Sequence, residues 1–167
     1  MREAIFVVSL ATAAICCGPA AMAQVPAAVD VPGAKIIATF QGVGAQIYEC
    51  KSGGDGKLAW SFREPIAALI DHGKTIGWHY GGPTWENVDS SKVVAKASGN
   101  APGASADDIP WLKLDVTKHA GRGLLSKVTT IQRLDTHGGA LSGGCDKAGD
   151  FKSVAYTATY VFLHKSK

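Results

Sequence analysis

The chain has 167 residues, 46% of them hydrophobic and 19% charged, with a formal net charge of +3. The apolar fraction excludes wholesale disorder, and the 20 glycines lack the period-three spacing of collagen. The charge is too small, and its lysines and arginines too scattered, for a nucleic-acid footprint, and the length suits one domain.

The first two dozen residues read as an address. Arg2 gives a short positive start, partly offset by Glu3, and residues 4–17 are uncharged and rich in Ala, Val, Ile and Leu. This stretch is short for a membrane span, which needs roughly twenty apolar residues. Ala21-Met22-Ala23 supplies the small residues that a signal peptidase reads, so cleavage is expected after Ala23. Ile15 before Cys16 argues against lipid attachment, which wants a small residue there. The expected organisation is a signal peptide at residues 1–23 that is removed, an N-terminal extension at 24–33, and a single β-rich domain at 34–167. Cleavage leaves Cys50 and Cys145, most simply one disulfide in an exported protein. Neither has a second Cys or His at the close spacing of a metal site, and no metal is expected.

The mature chain alternates apolar residues at period two, segment after segment. Ile36, Ala38 and Phe40 share a face, Gly42-Val43-Gly44 reads as a turn, and residues 45–50 alternate again. Ser52 to Gly56 has the composition of a hairpin loop. Leu58, Trp60 and Phe62 form an apolar face, Pro65 interrupts, and Ile66, Ala68 and Ile70 follow. After a turn at residues 71–74, Ile76, Trp78 and Tyr80 form the next apolar face, with His79 opposite. Residues 79–86, HYGGPTWE, read as a loop carrying aromatics and a carboxylate. A shorter strand at 92–95 precedes a Gly-, Ala-, Ser- and Pro-rich loop at 98–108. Leu112, Leu114 and Val116 mark another strand, and 127–134 and 154–163 are the last two, separated by the Gly-rich loop that holds Cys145. No segment sustains a 3.6-residue period. The pattern predicts an all-β, single-domain antiparallel β-sandwich or barrel of about nine short strands.

Motifs for cofactors are missing. Gly42-Val43-Gly44 lacks the third glycine and the helix of a dinucleotide fingerprint, and there is no Walker loop, GxSxG elbow or HExxH. No cofactor is expected. Two places carry the candidate ligand-binding residues. One is the segment with His79, Tyr80, Trp85 and Glu86, where the aromatics offer flat contact area. The other is Gln132 and Arg133, neighbours on a strand, so that one must face in and the other out. An inward Arg133 needs a buried acceptor, and Glu86 is the expected partner if the aromatic loop caps the same end of the sheet.

The segments Gln46-Ile47-Tyr48-Glu49-Cys50, His79 to Glu86, Ile109-Pro110-Trp111-Leu112, Val128 to Arg133 and Tyr156 to Tyr160 together resemble a family of secreted bacterial and fungal proteins catalogued only as a domain of unknown function. The resemblance spans nearly the whole mature chain and implies export and one β-rich domain. Some relatives carry a malate dehydrogenase label, which the missing nucleotide fingerprint and missing helices do not support. The function reading preferred here is a non-catalytic binding module for a small molecule or cell-envelope component, in the periplasm or secreted, with no transmembrane span after cleavage. The alternative is a small hydrolase or isomerase whose acid–base groups would be Glu86, His79 or Arg133; no residue spacing demands catalysis.

Overall fold

In the computed structural model the described residues are 25–166, so the expected signal peptide and its cleavage site lie outside them. Eight antiparallel strands run β1 (Lys35–Ser52), β2 (Leu58–Asp71), β3 (Lys74–Tyr80), β4 (Thr84–Asn87), β5 (Lys92–Ala101), β6 (Trp111–Ala120), β7 (Thr130–Gly138) and β8 (Phe151–His164). Each pairs with the next, and β8 returns to β1 from Lys35 opposite His164 to Glu49 opposite Phe151. The sheet is therefore a closed barrel, all-β as the alternation predicts, and closure decides between barrel and sandwich.

Eight strands replace the expected nine because two sequence breaks do not break a strand and one strand, β4, lies where a loop was expected. Gly42-Val43-Gly44 lies inside β1 instead of turning it. These glycines make room: a Cβ on Gly42 would run into the Tyr160 ring, and one on Gly44 into the β2 backbone at Ile66 and Ala67. Pro65 likewise sits within β2, opposite Gln46, at a point where β2 has no partner on its other side, since pairing with β3 begins at Ala67. A proline, which has no N–H to donate, is tolerated where a neighbour is missing. The segment at 79–86 is a tight hairpin between β3 and β4, not a loop, and the expected loop at 98–108 begins only after β5 ends at Ala101.

The inward faces of the strands carry Phe40, Ala67, Leu69, Trp85, Val93, Leu114, Ile131, Tyr156, Tyr160 and Phe162, all buried. The Tyr160 ring lies against Gly42 of the neighbouring strand, a large side chain set beside a small one as small barrels need. A second, smaller core lies outside the barrel wall. Residues 25–34 fold over it, with fully buried Val29 packed on Ala101, Leu134, Val161 and Leu163. At the opposite end of β1, Cys50 and Cys145 are disulfide-bonded with Cα atoms 5.9 Å apart, tying the 139–150 connection to β1.

The barrel wall is uneven. The β3–β4 hairpin is short, with strands of 7 and 4 residues, beside a β2 of 14 and a β5 of 10. The first half of β2 and the second half of β5 outrun it, so the wall is notched above the turn at residues 81–83.

Candidate functional site

The notch opens into a cavity of about 620 Å³ that reaches from Phe62 and Pro65 on β2, over the hairpin turn, to Leu112 and Leu114 on β6. Its walls are mostly apolar, and Trp85 forms part of the inner surface. Eight-stranded barrels are wide enough to hold one small ligand when their side chains leave such a space.

Arg133 stands in this cavity. The alternation on β7 puts Gln132 and Leu134 outward and Ile131 and Arg133 inward, with Ile131 in the barrel core. The guanidinium is held from one side: Nε and Nη2 both donate to the Pro110 carbonyl, at 3.2 and 2.8 Å. Burial is the first cause lowering its affinity for a proton, opposed by the hydroxyls of Tyr160, Tyr156 and Tyr48, the first of them through a hydrogen bond. Tyr156 and Tyr160 hydroxyls lie 3.0 Å apart, and Tyr48 donates to the Gly139 carbonyl at 2.7 Å. Burial raises all three phenols, so they remain neutral donors.

The expected partner of Arg133 is elsewhere. Glu86 lies on the outer face of β4, where its carboxylate accepts from the Tyr80 hydroxyl at 2.6 Å and pairs with Lys92 at 3.0 Å. Those two contacts, Tyr80 first, hold its carboxyl below the usual range. The pairing of Glu86 with Arg133 is therefore not formed; the two sit on opposite faces of the wall because β4 is a strand whose Trp85, not Glu86, points inward. Tyr80 shares that outer face and is remote from the cavity. Gln132 is buried but outside the lumen, where its Nε2 donates to the Val29 carbonyl at 2.6 Å and pins the N-terminal segment.

His79 also reverses its expected side. Gly77 and His79 point into the barrel, while Trp78 is 49% exposed. The imidazole stacks on Trp85 with ring centroids 4.1 Å apart, and Tyr160 meets it edge-on. Its Nδ1 lies 2.9 Å from the Thr84 carbonyl, which can only accept, so Nδ1 carries the proton and Nε2 is left as an acceptor. Burial pushes its pKa down from 6.5 to about 3, and the ring is neutral at ordinary pH. Of the six candidate ligand-binding residues, the structure thus brings His79, Trp85 and Arg133 to the cavity and puts Tyr80, Glu86 and Gln132 outside it. Sequence reasoning missed Tyr156 and Tyr160; a signal was present in their i, i+4 spacing on a strand, which places both on one face.

Among the described residues no three His, Cys, Asp or Glu side chains gather as a metal site, and no helix is long and apolar enough to cross a membrane. Residues 31–164 match the family model described as Protein of unknown function (DUF3455), and the chain belongs to that family. No curated protein and no solved structure matches the chain.

Proposed function

For this member of the DUF3455 family we propose a non-catalytic binding module that holds one small, largely apolar ligand inside the barrel. The observation that carries the reading is the 620 Å³ apolar-walled cavity that opens through the notch above the β3–β4 hairpin. Catalysis has less to work with. A general base needs a pKa near the working pH, whereas His79 is lowered to about 3 with its Nδ1 committed to Thr84. The carboxylate candidate, Glu86, is on the outer face.

The test uses the neutral fluorophore N-phenyl-1-naphthylamine. Its emission should rise on mixing with the wild-type protein and fall to the buffer value with Ala97→Trp, which fills the cavity mouth from an exposed position. Trp78→Ser, on the apolar outer patch with Val43 and Ile66, should leave the signal intact. A signal that follows Trp78 and ignores Ala97 assigns binding to the outer wall and defeats the reading.

Export belongs to the same proposal. Support comes from the leader-like residues 1–23 and from a disulfide, which persists in oxidising compartments. Protein recovered from the periplasm or medium should begin at Gln24 by mass spectrometry; intact Met1-containing protein in the membrane fraction refutes it.

A further inference from the structure

Resting on the cavity reading above, we propose that the ligand is an organic acid: an apolar body lying against Trp85, Leu112 and Leu114, with a single carboxylate bound end-on by Arg133 and the tyrosine hydroxyls beside it.

The argument is one of charge and donor balance. Three cations, Arg63, Lys96 and Arg133, line the cavity, and no Asp or Glu does. Arg63 is answered at the rim by Glu64 at 3.2 Å. Arg133 appears in none of the salt bridges among the described residues. Arg133 is half-buried, and a guanidinium partly withdrawn from water without a counter-ion is costly, so a fold keeps one when something compensates it. Pro110 takes the Nε side of the group, and the neutral Tyr160 hydroxyl is the other hydrogen-bonding partner; neither brings a negative charge. The remaining edge, Nη1 with the far N–H of Nη2, is a pair of parallel donors, the shape that a carboxylate fits with two hydrogen bonds.

The surroundings add donors and few acceptors. Two phenols, Tyr156 and Tyr160, have one contact between them, which uses one of their two protons. The indole N–H of Trp85, in the cavity wall, is buried without an acceptor, as is the side-chain amide nitrogen of Gln46 on β1. A ligand with lone pairs and negative charge supplies what this interior lacks. A carboxylate fits better than a phosphate, because only one free guanidinium edge is present at the inner end, while Lys96 is exposed at the mouth. Lys96 is placed to draw anions toward the opening.

Calorimetric titration of the folded wild-type chain with two matched pairs tests this: decanoate against decan-1-ol, and 2-naphthoate against 2-naphthylmethanol. Each acid should bind roughly ten- to a hundredfold more tightly than its alcohol, the range of a charge-assisted pair. Arg133→Met should reduce that preference to less than about threefold. Arg133→Lys, which keeps the charge and loses the parallel donors, should fall between. Where Arg133→Met does not fold, the wild-type preference together with the Lys variant decides. Alcohols binding as tightly as acids, with both lost in Ala97→Trp, would overturn the acid assignment and leave the cavity reading standing. Decyl phosphate binding more tightly than decanoate would overturn the carboxylate. If no acid and no alcohol binds, and N-phenyl-1-naphthylamine gives no signal, both readings fail together.

Discussion

His79 makes the barrel interior sensitive to acid. Its proton affinity in the folded chain is lower than in the unfolded chain, with pKa about 3 against 6.5. Between those values the unfolded state binds more protons, so stability is fully present above about pH 6.5 and is lost as pH falls toward 3. The slope can reach about 1.4 kcal/mol per pH unit. Ordinary carboxylates are already ionised between pH 5 and 6.5, so this window reports on histidines, and the comparison with a His79 variant singles out this one among the five. Urea denaturation at those two pH values should show a larger loss for wild type than for His79→Phe, which keeps a ring against Trp85. Equal losses would mean that the buried imidazole is not the source. The two sides of the wall should also be energetically separate: Glu86→Gln and Arg133→Met are expected to add in a double-mutant cycle, since Glu86 answers Lys92 and Tyr80 outside and Arg133 answers Pro110 inside. A coupling beyond about 0.5 kcal/mol would contradict that separation. At this scale the sequence shows that Gln132 and Arg133 face opposite ways but not which is inward. Alternation gives a period and no phase, and Gln132 is buried too, beneath a segment whose docking no local pattern reveals.

The strands themselves were mostly legible, because period-two patterning survives wherever one face is buried. Their ends and faces were less so, for a reason visible in β1 and β3. Glycine in a strand is ambiguous: it marks a turn, or it marks a place where another group comes close. Gly42 is the second kind, and the close group is the ring of Tyr160, three-quarters of the way round the chain. Trp78 likewise reads as core and stands outside, since β3 offers the lumen Gly77 and His79 and leaves no room for an indole. Gly42→Ala should therefore cost about 1–3 kcal/mol, as overpacked sites do, although alanine is ordinarily the better strand residue. Thermal unfolding of the variant measures it. An unchanged midpoint would show that Tyr160 can move aside freely, and the Tyr156–Tyr160 hydroxyl contact beside Arg133 would then be less fixed than described.

For the molecule as a whole, the disulfide and the closing seam do different work. Cys50 and Cys145 are 95 residues apart in sequence. In the chain-entropy account a crosslink of that length contributes about 4–5 kcal/mol by restricting the unfolded chain. Cys50→Ala with Cys145→Ala should lower stability in urea by several kcal/mol; a loss below about 1 kcal/mol would mean that the unfolded chain is already confined. The pairing of these two cysteines was legible by elimination, once a leader is taken to remove Cys16 and Cys17. Barrel closure was not legible, because nothing local in β1 or β8 states that the two are neighbours. That seam sets a timetable. Lys35 waits for His164 and Glu49 for Phe151, so almost the entire domain must exist before β1 gains its second neighbour. Until then one long margin of β1 presents unanswered N–H and C=O groups, an invitation to any other extended chain. Contacts so distant in sequence also form slowly, on the order of milliseconds to seconds. A chain halted before Phe151 would thus be more than an incomplete barrel: it would be a sticky one, and the last fourteen-residue strand is what answers that margin.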